Sequence, residues 1–360
     1  MPWFDAHLDL AMLAVEGRDM LGTPEAASTP ENRAGLTIPS LLAGDVRLIL
    51  GTIFTAPGDT GPEGYPVGDA ERAHIVGRAQ LEAYLTWRDK GMMQIDRFAP
   101  LRAMRGLSEI RGGMGVANQV PLGVATKLAR LPKSPPIYVG ILMENADPIR
   151  SPQEVGWWKE RGLVAVGLCW ATPSRYATGN RAAPGDGGLT PIGHELVREL
   201  DRFGIVHDAS HLSDASFADL CEATPKMIVA SHSNCRAISD PTGANQRHLT
   251  DAQIREIVRR NGVVGINLFS MFLRANCTRG DRVSIDEVIA HVERICEIAG
   301  DRTHVGLGSD MDGGFSADLM PQGINSPSGY TLLVDALSAR NWSDAEILDF
   351  AAGNWMRVFG

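Results

Sequence analysis

The sequence predicts a closed (β/α)₈ barrel of the TIM type. Eight short apolar, β-branched runs recur along the chain, and helical patterns separate them. No Gly-x-Gly-x-x-Gly follows the first run, which removes the main support for an open, doubly wound sheet.

The runs fall at residues 3–8, 47–54, 137–143, 163–168, 205–208, 227–230, 263–268 and 304–307. Several, such as VVGINL at 263–268, are apolar almost throughout, the pattern of a parallel strand buried on both faces. The helical signals are clearest in the second half. Ile192, Leu196, Leu200 and Phe203 form one stripe. Capping boxes open helices at Thr250/Gln253, Ser284/Glu287 and Ser343/Glu346, while Asn261-Gly262 and Gly300 supply stops. Residues 58–68 are rich in Gly and Pro and read as a loop, and 70–90 read as one long helix. The expected organisation is one barrel domain over 1–360 with an insertion at about 56–136.

The chain has 360 residues, 44% hydrophobic and 21% charged, which is ordinary for a globular protein. Its formal net charge of −9 argues against nucleic-acid binding and against an anionic membrane surface. The cysteine count is odd, at five, and no pair has the short spacing of a zinc or redox motif, so reduced thiols are expected. The N-terminus carries no basic stretch before an apolar run, and no apolar run is long enough to span a bilayer. The cytoplasm is the expected location.

The chemistry-bearing residues gather at strand ends. His7 and Asp9 are two apart at the end of the first run, a spacing that turns imidazole and carboxylate to one side of a strand. Glu144, His211, His232 and Asp310 each follow another run closely. In a barrel, the C-terminal strand ends form one ring at the mouth used for catalysis. This set exceeds the three ligands of a single catalytic zinc and suits two metals sharing a carboxylate. Asp310-Met311-Asp312-Gly313 lacks the later ligands of a calcium loop, and Asp312 reads as a turn former. Ser231-His232-Ser233 lacks the frame of a serine hydrolase. His74, His194, His248, His291 and His304 read as solvated or capping histidines, and His207 as lining the barrel or packing in the core.

The motifs His7-Leu8-Asp9, Met143-Glu144, Asp208-Ala209-Ser210-His211, Ser231-His232-Ser233 and Gly308-Ser309-Asp310-Met311-Asp312-Gly313 together resemble the membrane (renal) dipeptidase family, peptidase family M19, of the amidohydrolase superfamily. The tail at 353–359 does so too, and the resemblance runs in order from the first strand to the C-terminus. It implies a metallo-dependent-hydrolase barrel with two Zn²⁺ per chain that cleaves dipeptides by a metal-bridging hydroxide, and it leaves open whether the C-terminal residue is L or D. Carried over, His7 and Asp9 would hold one zinc, His211 and His232 the other, and Glu144 would bridge. Asp310 would be the acid/base residue, and Arg247 would bind the substrate carboxylate. One departure stands out: the family's histidine at the fourth strand end is absent, and Trp170 takes its place beside the substrate. Arg175 and Tyr176 are the nearby candidates for a replacement donor. The resemblance also allows a homodimer. The alternatives are a superfamily hydrolase or lyase for another small carboxylated compound, and a metal-binding barrel without catalysis.

Overall fold

The computed structural model describes residues 1–95 and 137–360. Eight parallel strands form the barrel: β1 (Trp3–Leu8), β2 (Val46–Ile53), β3 (Ile137–Met143), β4 (Leu163–Gly167), β5 (Val206–Asp208), β6 (Ile228–Val229), β7 (Val264–Ile266) and β8 (Val305–Leu307). Their order is β7-β8-β1-β2-β3-β4-β5-β6. A parallel bridge between Ala230 and Val264 closes the ring, with Ala230 N donating to Val263 O at 3.0 Å and Gly265 N to Ala230 O at 2.8 Å. Closure leaves no barrel edge with unpaired backbone groups, which favours this arrangement over an open sheet. Each of the eight expected runs overlaps one of these strands, seven containing theirs in full and the second offset from β2 by one residue.

The region after β2 holds the parallel pair Ala56–Pro57 and Gly64–Tyr65, then the helix Ala70–Asp89. A short strand, Met93–Ile95, pairs with the start of β3. The rest of the expected insertion, 96–136, lies outside the described residues.

Two apolar clusters hold the barrel. One packs the outer strand faces against the helices and includes Ile49, Val139, Ile141, Leu196, Leu200, Ile254 and Ile295. The other lies inside the barrel, where Phe4, Ala6, Leu48, Leu50, Leu142, Ala165 and Val229 meet Trp355 of the C-terminal helix Asn354–Phe359. Trp355 Nε1 donates to Leu307 O at 2.9 Å, so the indole's polar atom is satisfied as its ring fills the core. The three expected capping boxes are present, and Gly300 (φ 78°) and Asn261 (φ 62°) take the left-handed conformation after their helices. Among the described residues, no helix is long and apolar enough to cross a membrane.

Candidate metal centre

The strand ends bring the expected residues together. His7 is the last residue but one of β1 and Asp9 caps the helix Leu10–Val15 that follows, Glu144 directly follows β3, and His211, His232 and Asp310 each stand three residues beyond β5, β6 and β8. All six are buried. His7 Nε2 is 3.8 Å from Asp9 Oδ1, 3.6 Å from Glu144 Oε2 and 4.0 Å from Asp310 Oδ1. The other Glu144 oxygen, Oε1, lies 3.0 Å from His211 Nε2 and 3.5 Å from His232 Nε2. Two triads are compact enough to hold an ion, His7-Glu144-His232 and His7-Asp9-Asp310. His211 (φ 68°) and Asp310 (φ 57°) both occupy the left-handed region, a cost that clusters at functional sites.

The electrostatics fit a cation. Burial pushes Asp9 up to about 6, the Glu144 charge adding to that push and the His7 charge opposing it. Burial likewise pushes Asp310 up to about 8, opposed by His7 and reinforced by Asp9 and Glu144. Burial works against charge on His7, yet the carboxylates of Glu144, Asp9 and Asp310 outweigh it and raise the imidazole to about 10. Glu144 goes the other way: burial raises it, but His7 and His211 hold it well below its ordinary range. Burial and then the Arg247 charge bring His211 down to about 4, and burial followed by His7 and Arg247 holds His232 well below its usual value. Three carboxylates thus crowd a buried pocket in which the His211 and His232 imidazoles are neutral at pH 7, an arrangement that positive charge relieves.

Two details point to nitrogen lone pairs aimed at an ion. His7 Nε2 is buried without a hydrogen-bond partner among the described residues. His211 Nε2 and His232 Nε2 face each other at 2.9 Å. The far nitrogens are occupied: His211 Nδ1 meets Asn180 Oδ1 at 3.1 Å, while His7 Nδ1 and His232 Nδ1 both meet Ser231 Oγ, at 3.2 and 2.9 Å. Outer partners of this kind fix which nitrogen faces a metal. Thr52 Oγ1 donates to Asp9 Oδ1, and Asn267 Nδ2 donates to Asp310 Oδ2 at 2.8 Å.

Arg247 is buried beside this cluster. Its Nη1 donates to Ser233 Oγ at 3.2 Å and its Nη2 to His232 O at 2.9 Å, with the guanidinium 5.3 Å from the Phe272 ring. Its Nε has no hydrogen-bond partner among the described residues. Trp170 is half-buried, its ring 6.0 Å from that of His211, edge-on to Phe54 at 5.2 Å and covered by Arg181 at 5.0 Å. The aromatic side chain therefore stands at the site rather than away from it. Arg175 and Tyr176 do not: Arg175 Nη1 donates to Arg150 O at 3.0 Å and the Tyr176 hydroxyl to Ile149 O.

Several other readings change. His74, His248, His291 and His304 are buried rather than solvated. His291 receives the Cys235 N–H at Nδ1 (3.1 Å) and donates from Nε2 to Leu273 O (3.1 Å), so it ties its helix to two loops. His207 pairs with Asp201 at 2.8 Å and so faces the helix Pro191–Phe203. Asp312 (φ 60°) does turn the chain, and it also accepts from Gly35 N, Leu36 N and Arg18. The residues that sequence reasoning missed are Asp208, Asn180, Ser231 and Asn267. Ser231 was within reach as the neighbour of His232, but its partners lie on other strands.

The comparisons with known proteins agree with this architecture. The profile of the membrane dipeptidase family, peptidase family M19, matches residues 1–360. An uncharacterized protein in the pqqA 5′ region of Klebsiella pneumoniae is 30% identical over 202 residues, which is 55% of this chain and 71% of that one. Two solved structures share the fold. A dipeptidase AC, a metallopeptidase of family M19, superposes with a TM-score of 0.78 at 24% identity, covering 100% of this chain and 98% of the other. A metallopeptidase from Rhodobacter sphaeroides, liganded with a phosphinate mimic of the dipeptide L-Ala-D-Ala, gives a TM-score of 0.77 at 23% identity with the same coverage. This chain belongs to the membrane dipeptidase family, peptidase family M19, and is a metallo-dipeptidase of that family.

Proposed function

We propose that the chain is a binuclear zinc dipeptidase, with His7 and Asp9 on one Zn²⁺, His211 and His232 on the other, and Glu144 shared between them. The observation that carries this reading is the division of Glu144, whose Oε2 faces His7 while Oε1 faces His211 and His232. When bound, such a pair of cations supplies a water acidified to near neutrality and a Lewis acid for the scissile carbonyl.

The chain's own residues then do the following. Asp310 Oδ1, close to His7 and free of the Asn267 bond that holds Oδ2, takes a proton from the attacking water and delivers it to the departing amine. Burial suits it to this task, because a carboxyl raised toward neutrality both accepts and returns a proton readily. Arg247 binds the substrate's free carboxylate through a planar fork that lysine does not reproduce. Trp170 and Phe54 form an apolar wall beside His211 where a histidine would offer a hydrogen bond. The Rhodobacter protein's ligand supports acceptance of a D-residue at the C-terminal position. The five free thiols support a reducing compartment, the cytoplasm. The working assembly is a monomer or homodimer acting on small peptides, without nucleic acid or membrane.

A screen of L-Xaa-L-Xaa and L-Xaa-D-Xaa dipeptides, with and without chelator, tests this directly. The expected result is turnover that chelation abolishes and zinc restores. Amidation of the substrate's C-terminus is expected to lower kcat/KM by about 10–100-fold through loss of the charged bond to Arg247. Turnover that survives chelation contradicts the metal route. Two zinc per chain with no dipeptide turned over moves the reading to another small carboxylated substrate.

A further inference from the structure

The Ser231 hydroxyl lies between one carboxylate and two of the metal-facing imidazoles. Its Oγ is 2.5 Å from Asp208 Oδ2, 2.9 Å from His232 Nδ1 and 3.2 Å from His7 Nδ1. The two histidines face different oxygens of Glu144 and follow different strands, β1 and β6. A proton count settles the roles. A serine hydroxyl has one proton and two lone pairs. An ionised carboxylate only accepts, so the proton points to Asp208 Oδ2, which leaves Oγ with lone pairs alone for the imidazoles. Each Nδ1 must then carry a proton, so in the neutral, metal-binding form of each imidazole Nε2 is the nitrogen whose lone pair lies on the Glu144 side.

The hydroxyl is held where this requires. Asp208 Oδ1 accepts from Ser231 N at 2.8 Å and from Ser210 N at 3.0 Å, so the carboxylate cannot swing away. Ser210 Oγ is the remaining neighbour of Ser231 Oγ, at 3.4 Å. On the other side, Ser231 O is packed into β7 and the end of β8. A Cβ on Gly265 would stand 2.0 Å from that oxygen, and one on Gly308 only 1.8 Å. Both positions must therefore be glycine for the backbone of Ser231 to sit so deep in the mouth.

We propose that Ser231, fixed by Asp208, is a shared positioning residue that sets the tautomer of His7 and of His232 at once, and so couples the affinities of the two metal sites through one hydroxyl. The proposal rests on the metal-centre reading above and is independent of the substrate. Asn180 is the natural contrast, since it serves His211 alone.

The test is a zinc titration of the metal-free protein against a chromophoric chelator, read as two stepwise affinities, with circular dichroism of each metal-free variant. Ser231→Ala is expected to weaken both steps, each by about 10–100-fold, the range for outer partners of metal-bound histidines. Asn180→Ala is expected to weaken one step only. Ser231→Thr keeps the hydroxyl and is expected to restore both. Asp208→Asn is nearly isosteric. Its amide oxygen must stay with the two backbone N–H groups, so its NH₂ faces Ser231 Oγ and turns the hydroxyl proton onto an imidazole. That forces one histidine into the wrong tautomer, so Asp208→Asn is expected to weaken binding although it touches no metal. If Ser231→Ala does not fold, Asp208→Asn and Ser231→Thr still decide. Two steps unchanged in Ser231→Ala or Asp208→Asn overturn the proposal, as does a loss confined to one step in Ser231→Ala. An unaltered protein that binds two zinc ions but cleaves no dipeptide leaves it standing and removes only the substrate reading.

Discussion

Asp310→Asn is expected to keep the full zinc content and to lower kcat on dipeptides by about 10²–10⁴-fold, the range for loss of a positioned acid/base group. The geometry makes this a discriminating substitution. Asp310 Oδ1 lies 4.0 Å from His7 Nε2, hardly farther than Asp9 Oδ1 at 3.8 Å, so distance alone would also suit a ligand. What separates them is their outer contacts. Thr52 donates to the same Asp9 oxygen that faces His7, whereas Asn267 holds the Asp310 oxygen that faces away. An asparagine can accept from Asn267 as the aspartate does, so the fold around β8 has no reason to change. Turnover kept near the original level, or the loss of a zinc, would each remove Asp310 from the proton-carrying role; metal content by atomic emission and steady-state kinetics on one preparation read both.

Glu144→Gln is expected to reduce zinc from two per chain to at most one, with turnover down by at least about 100-fold. Glutamine keeps the size of the side chain but offers one acceptor oxygen and a neutral NH₂. It cannot serve both His7 and the His211/His232 pair. It also removes the charge that contributes most to raising His7, so the substitution should be visible without any metal. In the metal-free variant the His7 imidazole is expected to titrate well below its value of about 10 in the unaltered site, which a ring-proton NMR titration reads. Two zinc ions retained in Glu144→Gln would show that the shared carboxylate is not Glu144.

Much of this architecture is legible in the amino-acid sequence. Buried parallel strands write themselves as unbroken apolar runs, so β1 and β3 are read to the residue and the other strands to within one or two. Helix starts are legible where a capping box is complete, as at Thr250 and Ser284, because the signal is local in sequence. The metal cluster is legible because a barrel turns scattered strand ends into one ring, so His7 and His232 can be neighbours across 225 positions. What is not legible depends on pairings with no local signature. Ser231 looks like one of two serines flanking a histidine; its hydrogen-bond partners Asp208 and His7 lie on other strands. His291 reads as one more polar residue on an amphipathic helix, and only the packing of that helix over Cys235 and Leu273 buries it. Trp170 shows the reverse case. The sequence marks it as a departure from its family, and the structure supplies what the departure does, an aromatic face set against His211 and covered by Arg181.

The central claim is that chain-distant side chains enclose two cations on either side of one carboxylate. Crystals grown with zinc and measured at the zinc absorption edge test it most directly. Two anomalous peaks are expected, one between His7, Asp9 and Glu144 and one between Glu144, His211 and His232. A single peak, or none within coordination distance of Glu144, would contradict it.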